Sequence, residues 1–344
     1  MPSRVSLQLA QEVLAGKEAW VVGGAVRDEL LGRPIVDLDV VCDEPERAAR
    51  AYAKRDGRGV FPLSEEHGGW RVALEDGRTV DFLPLQGGSI EADLGTRDFA
   101  INAIAVPLAG GEPIDPFDGR GDLDRRAIRA TSPVVFEKDP LRLLRAVRME
   151  DELGFRLDGE TERLVREQAP FVARPAGERI LDELRRLSAD GLERLDELGL
   201  LEPLGGSVSP RLQSFDSPAY RLAVTFGSNL RRLPISGELR RLSDTLARAE
   251  PPSDGSPRAI HRFRRSTEPW ALEALAYLGA DEHADAVRDA REHEPDKPLL
   301  RGDELGIEPG PEVGRLLELV AEERAAGTIA TREEAVELVR RALG

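Results

Sequence analysis

The stretch GGAVRDELLGRPIVDLDVV, residues 23–41, places two carboxylates one residue apart inside a run of apolar and β-branched side chains. Leu38 and Val40 are typical of a strand interior, whereas aspartate is depleted there. Because side chains alternate between the two faces of a strand, Asp37 and Asp39 are expected on the same face. Two carboxylates on one face repel each other unless a positive charge lies between them, so the pattern indicates a binding site for a cation.

A glycine pair opens the same stretch. Residues 19–23 favour a strand and residues around 24–31 favour a helix, so Gly23 and Gly24 lie where a strand turns into a helix. The first N–H groups of a helix lack internal partners and glycine lets a phosphate approach closely, which makes this turn a candidate anion site, with Arg27 adding a charge. A simple tight turn is the alternative. Beside two aspartates, the turn favours a triphosphate bound with a divalent metal.

The metal that accompanies a triphosphate is expected to be Mg²⁺, which binds one or two carboxylates together with substrate oxygens. A pair of such ions would relieve the repulsion between Asp37 and Asp39, activate an attacking hydroxyl and hold the leaving pyrophosphate. Asp81 lies in another strand-like run, residues 79–85, and is a candidate third carboxylate. An acid on the surface of an edge strand is the alternative for Asp81.

Length, composition and charge limit the classes of protein to which this chain can belong. The 344 residues exceed the usual size of one domain, so two or three domains are expected. No apolar run is long enough to span a membrane, and the single cysteine, Cys42, excludes an internal disulfide and fits a reducing cytoplasm. The net charge of −16 argues against nucleic-acid binding, but four segments are locally basic. They are residues 141–148, 229–234, 238–242 and 261–265. Solvated helix faces are the alternative for each.

The predicted secondary structure changes after residue 130. Before that point, short strand-like runs alternate with turns and helices. The predicted strands are residues 19–23, 36–42, 70–75, 79–85 and 103–108, with helices before the first strand and around 24–31 and 45–54. After residues 128–133 the sequence favours helices rich in Leu, Arg and Glu. The pattern predicts an α+β head followed by an all-helical body, with junctions near Pro133 and residues 250–257.

Four further motifs follow in order. They are TRDFAINAIA (residues 96–105), IDPFDGRGDLDRRAIRA (114–130), EKDPLRLLRAVR (137–148) and GERILDEL (177–184). Together with GGAVRDELLGRPIVDLDVV, they make residues 18–200 resemble the tRNA nucleotidyltransferase and bacterial poly(A) polymerase family, the class II CCA-adding enzymes. Residues 299–320 are also similar to the C-terminal tail of that family. Thr96 is a departure, because the second motif usually has an arginine there.

The resemblance implies a polymerase-β-type nucleotidyltransferase head with a mixed sheet over residues 1–132. An all-α neck over 133–200 would read the base and contact RNA, and an all-α body and tail over 201–344 would bind tRNA. The implied reaction is template-independent addition of C, A or both to tRNA 3′ ends from CTP and ATP, with release of pyrophosphate. Two Mg²⁺ ions would be held by Asp37 and Asp39. The sequence identifies no membrane or protein partner.

The resemblance also assigns nucleotide contacts in the head. Gly23, Gly24 and Arg27 would bind the triphosphate. Arg97 and Asp98 would lie near the sugar, where a carboxylate can accept a hydrogen bond from the 2′-hydroxyl and so favour ribonucleotides. Asn102 would support their loop. A local ion pair between Arg97 and Asp98 is the alternative.

The fourth motif places polar residues three apart at the start of a helix, where they form a slowly turning stripe. They are Asp139, Arg142, Arg145 and Arg148, all candidates for nucleotide binding. One interpretation is structural: Asp139 caps the helix and forms an ion pair with Arg142 one turn later. The resemblance implies instead that Asp139 and Arg142 read the base, since arginine offers paired donors and aspartate offers acceptors. Lys138 replaces the glutamate that often precedes this aspartate.

The segment between Asp81 and Asp98 bears on which product the enzyme makes. Only 16 residues separate Asp81 from Asp98, and residues 83–95 are short for the mobile loop of family members that add complete CCA, so a CC-adding specialist is plausible. Arg262, Arg264 and Arg265 are expected to contact RNA. The alternatives are a poly(A) polymerase acting on RNA 3′ ends and a non-catalytic RNA-binding protein with this fold.

Overall fold

The computed structural model describes residues 2–56, 59–63, 68–74 and 77–344, which form two units, residues 1–204 and 205–344. The predicted border between head and neck, at residues 132 and 133, lies inside the first unit. The predicted start of the body at residue 201 lies four residues before the second unit. The division into head, neck and body therefore stays a prediction within this two-unit framework.

A six-stranded sheet forms the centre of the first unit. Its strands are β1 (Ala19–Val22), β2 (Leu38–Cys42), β3 (Val60–Pro62), β4 (Trp70–Ala73), β5 (Thr79–Pro84) and β6 (Ala105–Pro107). The spatial order is β3-β4-β5-β2-β1-β6, and the pairs are antiparallel except β2–β5, which is parallel. The mixed sheet predicted for the head is thus confirmed. A separate pair of short parallel strands is formed by β7 (Ala127–Ile128) and β8 (Arg156–Leu157).

Helices surround the sheet and continue the first unit. They are α1 (Pro2–Val13), α2 (Gly24–Leu30), α3 (Pro45–Asp56), α4 (Ile90–Leu94), α5 (Gly119–Arg125), α6 (Val135–Lys138), α7 (Leu141–Leu153), α8 (Gly159–Gln168), α9 (Gly177–Arg186) and α10 (Ala189–Glu197). Shorter 3₁₀ helices lie at Ala100–Asn102, Ala169–Phe171 and Glu202–Leu204. The predicted helix before the first strand and those near residues 24–31 and 45–54 are all present.

Some sequence-based boundaries differ from the structure. The predicted strand 70–75 ends at Ala73, and its last residue, Glu75, lies outside the described residues. Strand β3 was not predicted; it is only three residues long and ends in a proline. The segment 83–95 is not all loop: Ser89 caps α4, accepting a hydrogen bond from the Ala92 N–H.

Successive side chains of β2 point to opposite faces of the sheet. Val40 faces the side covered by α3, where Tyr52 packs against Phe82 with ring centroids 5.7 Å apart. Val41 faces the opposite side and belongs to a buried cluster that includes Ile90 and Leu94 of α4. Asp39 shares the face of Val41, so the side chain lies on the side that α4 helps to cover.

A close backbone approach fixes α5 beside the 3₁₀ helix Ala100–Asn102. A Cβ atom at Gly119 would lie 2.2 Å from the carbonyl oxygen of Ala100. Such an approach is open only to glycine, which explains the glycine in the third motif. This close approach helps to position Asn102, because Asn102 belongs to the same 3₁₀ helix.

The second unit is helical. Residues 205–344, all of them described, contain no β-strand, which agrees with the predicted all-helical body. The helices are α11 (Pro218–Phe226), α12 (Gly237–Arg248), α13 (Pro257–Thr267), α14 (Ala271–Leu278), α15 (Ala284–Glu292), α16 (Pro311–Ala325) and α17 (Arg332–Leu343), with 3₁₀ helices at Leu212–Ser214, Gly227–Arg232, Asp281–His283 and Gly302–Glu304. The C-terminal helices share an apolar cluster built around Leu300, Leu316 and Val339.

Candidate active site

Three carboxylates lie together at the centre of the six-stranded sheet. Asp37 directly precedes β2, Asp39 lies within it, and Asp81 is the register partner of Asp39 on β5. Carboxylates directly opposite each other on neighbouring strands destabilise a sheet. The structure compensates at Asp81, whose two oxygens accept hydrogen bonds of 2.7 and 2.6 Å from the guanidinium of Arg71 on β4.

Asp37 has a neutral partner. One of its carboxylate oxygens accepts hydrogen bonds from the backbone N–H of Thr79, at 3.0 Å, and from the Thr79 hydroxyl, at 2.9 Å. The side chain of Asp37 is exposed, whereas that of Asp39 is half-buried. The predicted pair thus has one carboxylate at the surface and the other half-buried, and its placement on one face stays a prediction.

Asp39 is the least compensated of the three. Burial is the main reason that the pKa of its carboxyl rises to about 6; the guanidinium of Arg97 opposes this rise, while the charges of Asp81 and Asp37 add to it. A carboxylate in this state gains from any cation that reaches it. The electrostatics thus support the sequence-based interpretation of the aspartate pair as a cation site.

The glycine turn lies directly against Asp39. Gly23 has φ +72°, in the left-handed region, and a Cβ atom there would lie 3.3 Å from Oδ2 of Asp39 and 3.4 Å from Nη1 of Arg97. A side chain at this position would be strained and would crowd both groups. The glycine is therefore required next to the carboxylate, and the same turn begins α2.

Arg27 is buried beside Gly24, and its guanidinium already has hydrogen-bond partners. Its guanidinium donates to Oδ1 of Asn102 at 2.7 Å and to both oxygens of Asp28 at 3.0 Å. Asn102 in turn donates from Nδ2 to Asp98 at 2.9 Å. The predicted triphosphate contact of Arg27 stays a prediction, whereas the predicted supporting role of Asn102 has a concrete form: it joins Arg27 to Asp98.

Asp98 collects four hydrogen bonds. Oδ1 accepts from the Phe99 N–H at 2.8 Å and from Asn102, while Oδ2 accepts from Nε and Nη2 of Arg145 at 2.8 and 2.6 Å. Burial alone would raise its pKa, but the charge of Arg145 and these hydrogen bonds outweigh burial and lower the pKa to about 2. An ionised carboxylate offers about four lone-pair sites. A ribose hydroxyl could bind Asp98 only if one of these four hydrogen bonds were broken.

The alternative ion pair between Arg97 and Asp98 does not form. Arg97 instead donates to the buried carboxylate of Asp93 at 3.1 Å, while Asp98 is bound to Arg145. Asp93 was not predicted, although its spacing of four residues from Arg97 was an available signal.

The base-reading candidates have partners different from those that local spacing suggested. Asp139 does accept from the Leu141 N–H, at 3.1 Å, but its ion pair is with Arg179 of α9, at 2.7 Å. Arg142 donates to the carbonyl oxygens of Thr96, at 2.8 Å, and Arg97, at 3.4 Å. The ion pair expected between Asp139 and Arg142 is replaced by these contacts, which reach the second and fifth motifs.

Arg148 turns inward instead of continuing a polar stripe. It is buried and donates to Glu183 of α9 at 2.6 Å and to Glu152 at 2.7 Å. Glu183 also lies 3.7 Å from Arg145. Glu183 was missed by sequence reasoning, since nothing local in GERILDEL distinguishes a buried ion-pair partner from a surface glutamate. Arg148 and Glu183 fix α7 against α9.

Parts of the chain match two family models, and the whole chain is similar to known enzymes. Residues 19–82 and 71–129 match the family model of the poly A polymerase head domain, and residues 154–205 match that of the probable RNA and SrmB-binding site of polymerase A. The chain is 34% identical to a CC-adding tRNA nucleotidyltransferase of Geobacter sulfurreducens, over 93% of this chain and 91% of the relative. The chain belongs to the tRNA nucleotidyltransferase family.

Other members of the family show the same extent of similarity. An A-adding tRNA nucleotidyltransferase of Deinococcus radiodurans is 32% identical, over 94% of this chain and 95% of its own length. The solved Thermotoga maritima CCA-adding enzyme, complexed with tRNA-CCA, shares the fold with a TM-score of 0.74 at 22% identity, covering 99% of this chain and 95% of the solved one. The resemblance inferred from five ordered motifs is therefore confirmed.

The donor set of this family member suits Mg²⁺. The described residues contain no group of three or more His, Cys, Asp or Glu side chains that could hold a metal ion. Mg²⁺ does not need one, because it takes one or two carboxylates and completes its shell with water and phosphate oxygens. Asp37 and Asp39 could supply the carboxylates, and the pKa of Asp39, raised to about 6 mainly by burial, indicates that its negative charge is not fully compensated. Asp81 is already bound to Arg71, and its role as a third metal ligand stays a prediction.

The arginines predicted to contact RNA all have carboxylate partners in the second unit. Arg262 binds Glu322 with a 2.9 Å hydrogen bond, and Arg265 binds Glu318 at 3.0 Å. Arg264 binds Glu268 at 2.8 Å and is almost buried. Their RNA contact stays a prediction, which now requires these ion pairs to open. In the described part of the chain, no helix is long and apolar enough to cross a membrane.

Substituting Asp39 tests the electrostatic account of the site. We expect Asp39→Asn to raise the melting temperature at pH 7.5 in EDTA by about 2–4 °C, because it removes a carboxylate whose ionisation the fold opposes. The folded-state pKa lies above the unfolded one, so the gain is full above pH 6 and fades as the pH falls towards 4. Differential scanning calorimetry at several pH values measures this.

Asp43→Asn is the matched control, since Asp43 is exposed just after β2. We expect no rise in melting temperature for this variant. A melting temperature of Asp39→Asn at or below that of the wild type at pH 7.5 would contradict the account.

Proposed function

We propose that this chain adds cytidine to the 3′ ends of tRNA without a nucleic-acid template, releasing pyrophosphate. The observation that carries the proposal is Asp39 within β2 against the glycine turn at Gly23, with Asp37 directly before the strand. Relatives at 30–34% identity, matched over nearly their whole length, are named tRNA nucleotidyltransferases. The single, buried Cys42 supports action in the cytoplasm.

The reaction joins two substrates in line. The 3′-hydroxyl of the RNA attacks the α-phosphate of the nucleotide, a new P–O bond forms, the bond to the bridging oxygen breaks, and pyrophosphate leaves. Mg²⁺ bound at Asp37 and Asp39 would lower the pKa of the hydroxyl and offset the charge on the leaving group. Gly23 and Gly24 leave room for the phosphates, and Arg97, beside Asp39, supplies a positive charge there. Positioning supplies much of the catalysis.

Asp139 and Arg142 are proposed to read the base. Two of the five N–H donors of Arg142 are used by the carbonyls of Thr96 and Arg97, so others remain to face a nucleobase. Arg179 holds the carboxylate of Asp139 in place. Arg145 and Arg148, bound to Asp98 and Glu183, serve the site by fixing the helix that carries Arg142.

The segment 83–95 favours CC addition over complete CCA addition. It runs from the end of β5 into α4, and two of its residues, Ile90 and Leu94, are packed in the core of the head. A segment anchored in this way has little freedom to remodel the site for a larger purine after two cytidines. Binding energy from a moving element would be needed for that change.

The product test uses two tRNA ends and two nucleotides. On tRNA that lacks CCA, we expect CTP to be incorporated twice. On tRNA that ends in CC, we expect ATP to be used with a kcat/KM at least about tenfold below that for CTP on the first substrate. Comparable efficiencies would identify a complete CCA-adding enzyme, long adenosine tails on unrelated RNA a poly(A) polymerase, and no incorporation would overturn the proposed function.

A second test addresses base selection. We expect Arg142→Ala to reduce the preference for CTP over UTP by about tenfold, since a lost hydrogen bond that leaves a polar partner unsatisfied costs about 1–3 kcal/mol. The matched control is Arg163→Ala, which removes an exposed ion pair with Glu160 on α8. Steady-state kinetics with each nucleotide and melting curves are measured together. A lowered melting temperature with unchanged nucleotide preference would show that Arg142 only supports the helix.

A further inference from the structure

Two arginine-rich helices of the second unit differ in how their charges are compensated. On α13, Arg262 and Arg265 bind carboxylates of α16, and Arg258 binds Glu323 at 2.7 Å. On α12, by contrast, Arg240, Arg241 and Arg248 are exposed, and none of them has an ion pair or hydrogen bond in the described structure. The contrast cannot be seen from composition, because both segments are locally basic.

The 3₁₀ helix before α12, Gly227–Arg232, adds further arginines next to those of α12. It ends in Arg231 and Arg232, both exposed, and Arg232 has no polar partner among the described residues. The two elements are tied together, because Ser243 of α12 donates to the carbonyl of Gly227 and Arg231 lies 3.4 Å from Asp244. Asp244 lies between Arg241 and Arg248 on one face of α12, so Arg231 is drawn onto that face.

We infer that the α12 arginine surface, formed by Arg232, Arg240, Arg241 and Arg248, binds phosphates of the tRNA. This inference rests on the proposed function and names the residues that would recognise its substrate. Arg241 and Arg248 are seven residues apart, about 10 Å along the helix, which is long enough to meet more than one phosphate.

Binding there has an energetic advantage over binding at α13. A guanidinium that meets a phosphate releases the counterion condensed on the nucleic acid, which is the main source of affinity for such contacts. A guanidinium already bound to a carboxylate must first lose that partner and leaves the carboxylate facing the phosphate. Unpaired arginines on α12 therefore gain more binding free energy from RNA than the paired arginines on α13. The glutamate partners of Arg258, Arg262 and Arg265 lie on α16, so these ion pairs also hold the two helices together.

The test compares charge removal at matched sites in the full-length protein. The α12 variant is Arg240→Gln with Arg241→Gln and Arg248→Gln. Its control removes the same charge from exposed arginines with local partners, as Arg288→Gln with Arg315→Gln and Arg341→Gln. A third variant is Arg262→Gln with Arg265→Gln. Affinity for tRNA lacking CCA is measured by fluorescence anisotropy from 50 to 300 mM KCl, alongside melting temperature.

We expect the α12 variant to bind tRNA at least tenfold more weakly at 100 mM KCl. The slope of log K against log salt should fall in magnitude by about 2–3, at about 0.9 per phosphate contact, with no loss of melting temperature. The control should keep the wild-type slope. A wild-type slope in the α12 variant, or a slope flattened only in the α13 variant, would overturn the inference. Failure of the wild type to extend tRNA would instead overturn the proposed function.

Discussion

Repulsion among Asp37, Asp39 and Asp81 is the constraint that organises the head. The parallel register of β2 and β5 places Asp39 beside Asp81, and each carboxylate then needs a donor or a cation. Arg71 satisfies Asp81 and Thr79 satisfies Asp37. Asp39 is left with a raised pKa beside the glycine turn. The fold therefore tolerates one carboxylate that Arg97 compensates only in part, where a nucleotide-bound metal would supply further positive charge, at a cost to the stability of the metal-free protein.

The second organising interaction is the buried carboxylate of Asp98. Through Asn102 it is connected to Arg27 and the glycine turn, and through Arg145 to α7, the helix that carries Arg142. A buried ion pair contributes little stability relative to apolar packing, because desolvation offsets the attraction. Its value here lies in orientation: the glycine turn and the helix that carries Arg142 are held by one connected set of hydrogen bonds.

The architecture of this site was largely predictable from the sequence, but most of the ion-pair and hydrogen-bond partners of its residues were not. Alternating strands and five ordered motifs indicated the mixed sheet, the same-face aspartates and the helical body. Local spacing paired Asp139 with Arg142, whereas the actual partner, Arg179, comes forty residues later. Long-range partners of this kind depend on how helices pack, which a single sequence does not encode in its spacing.

The most direct measurement of the central claim is single-turnover transfer of CMP from α-labelled CTP to tRNA lacking CCA, in the presence of Mg²⁺. The wild type is compared with Asp37→Asn, Asp39→Asn and the exposed-site control Asp43→Asn. The account predicts that each of the first two variants loses about 100-fold or more in rate while its melting temperature is not lowered, and that the control transfers CMP at the wild-type rate. A rate for Asp39→Asn within tenfold of the wild type would contradict it.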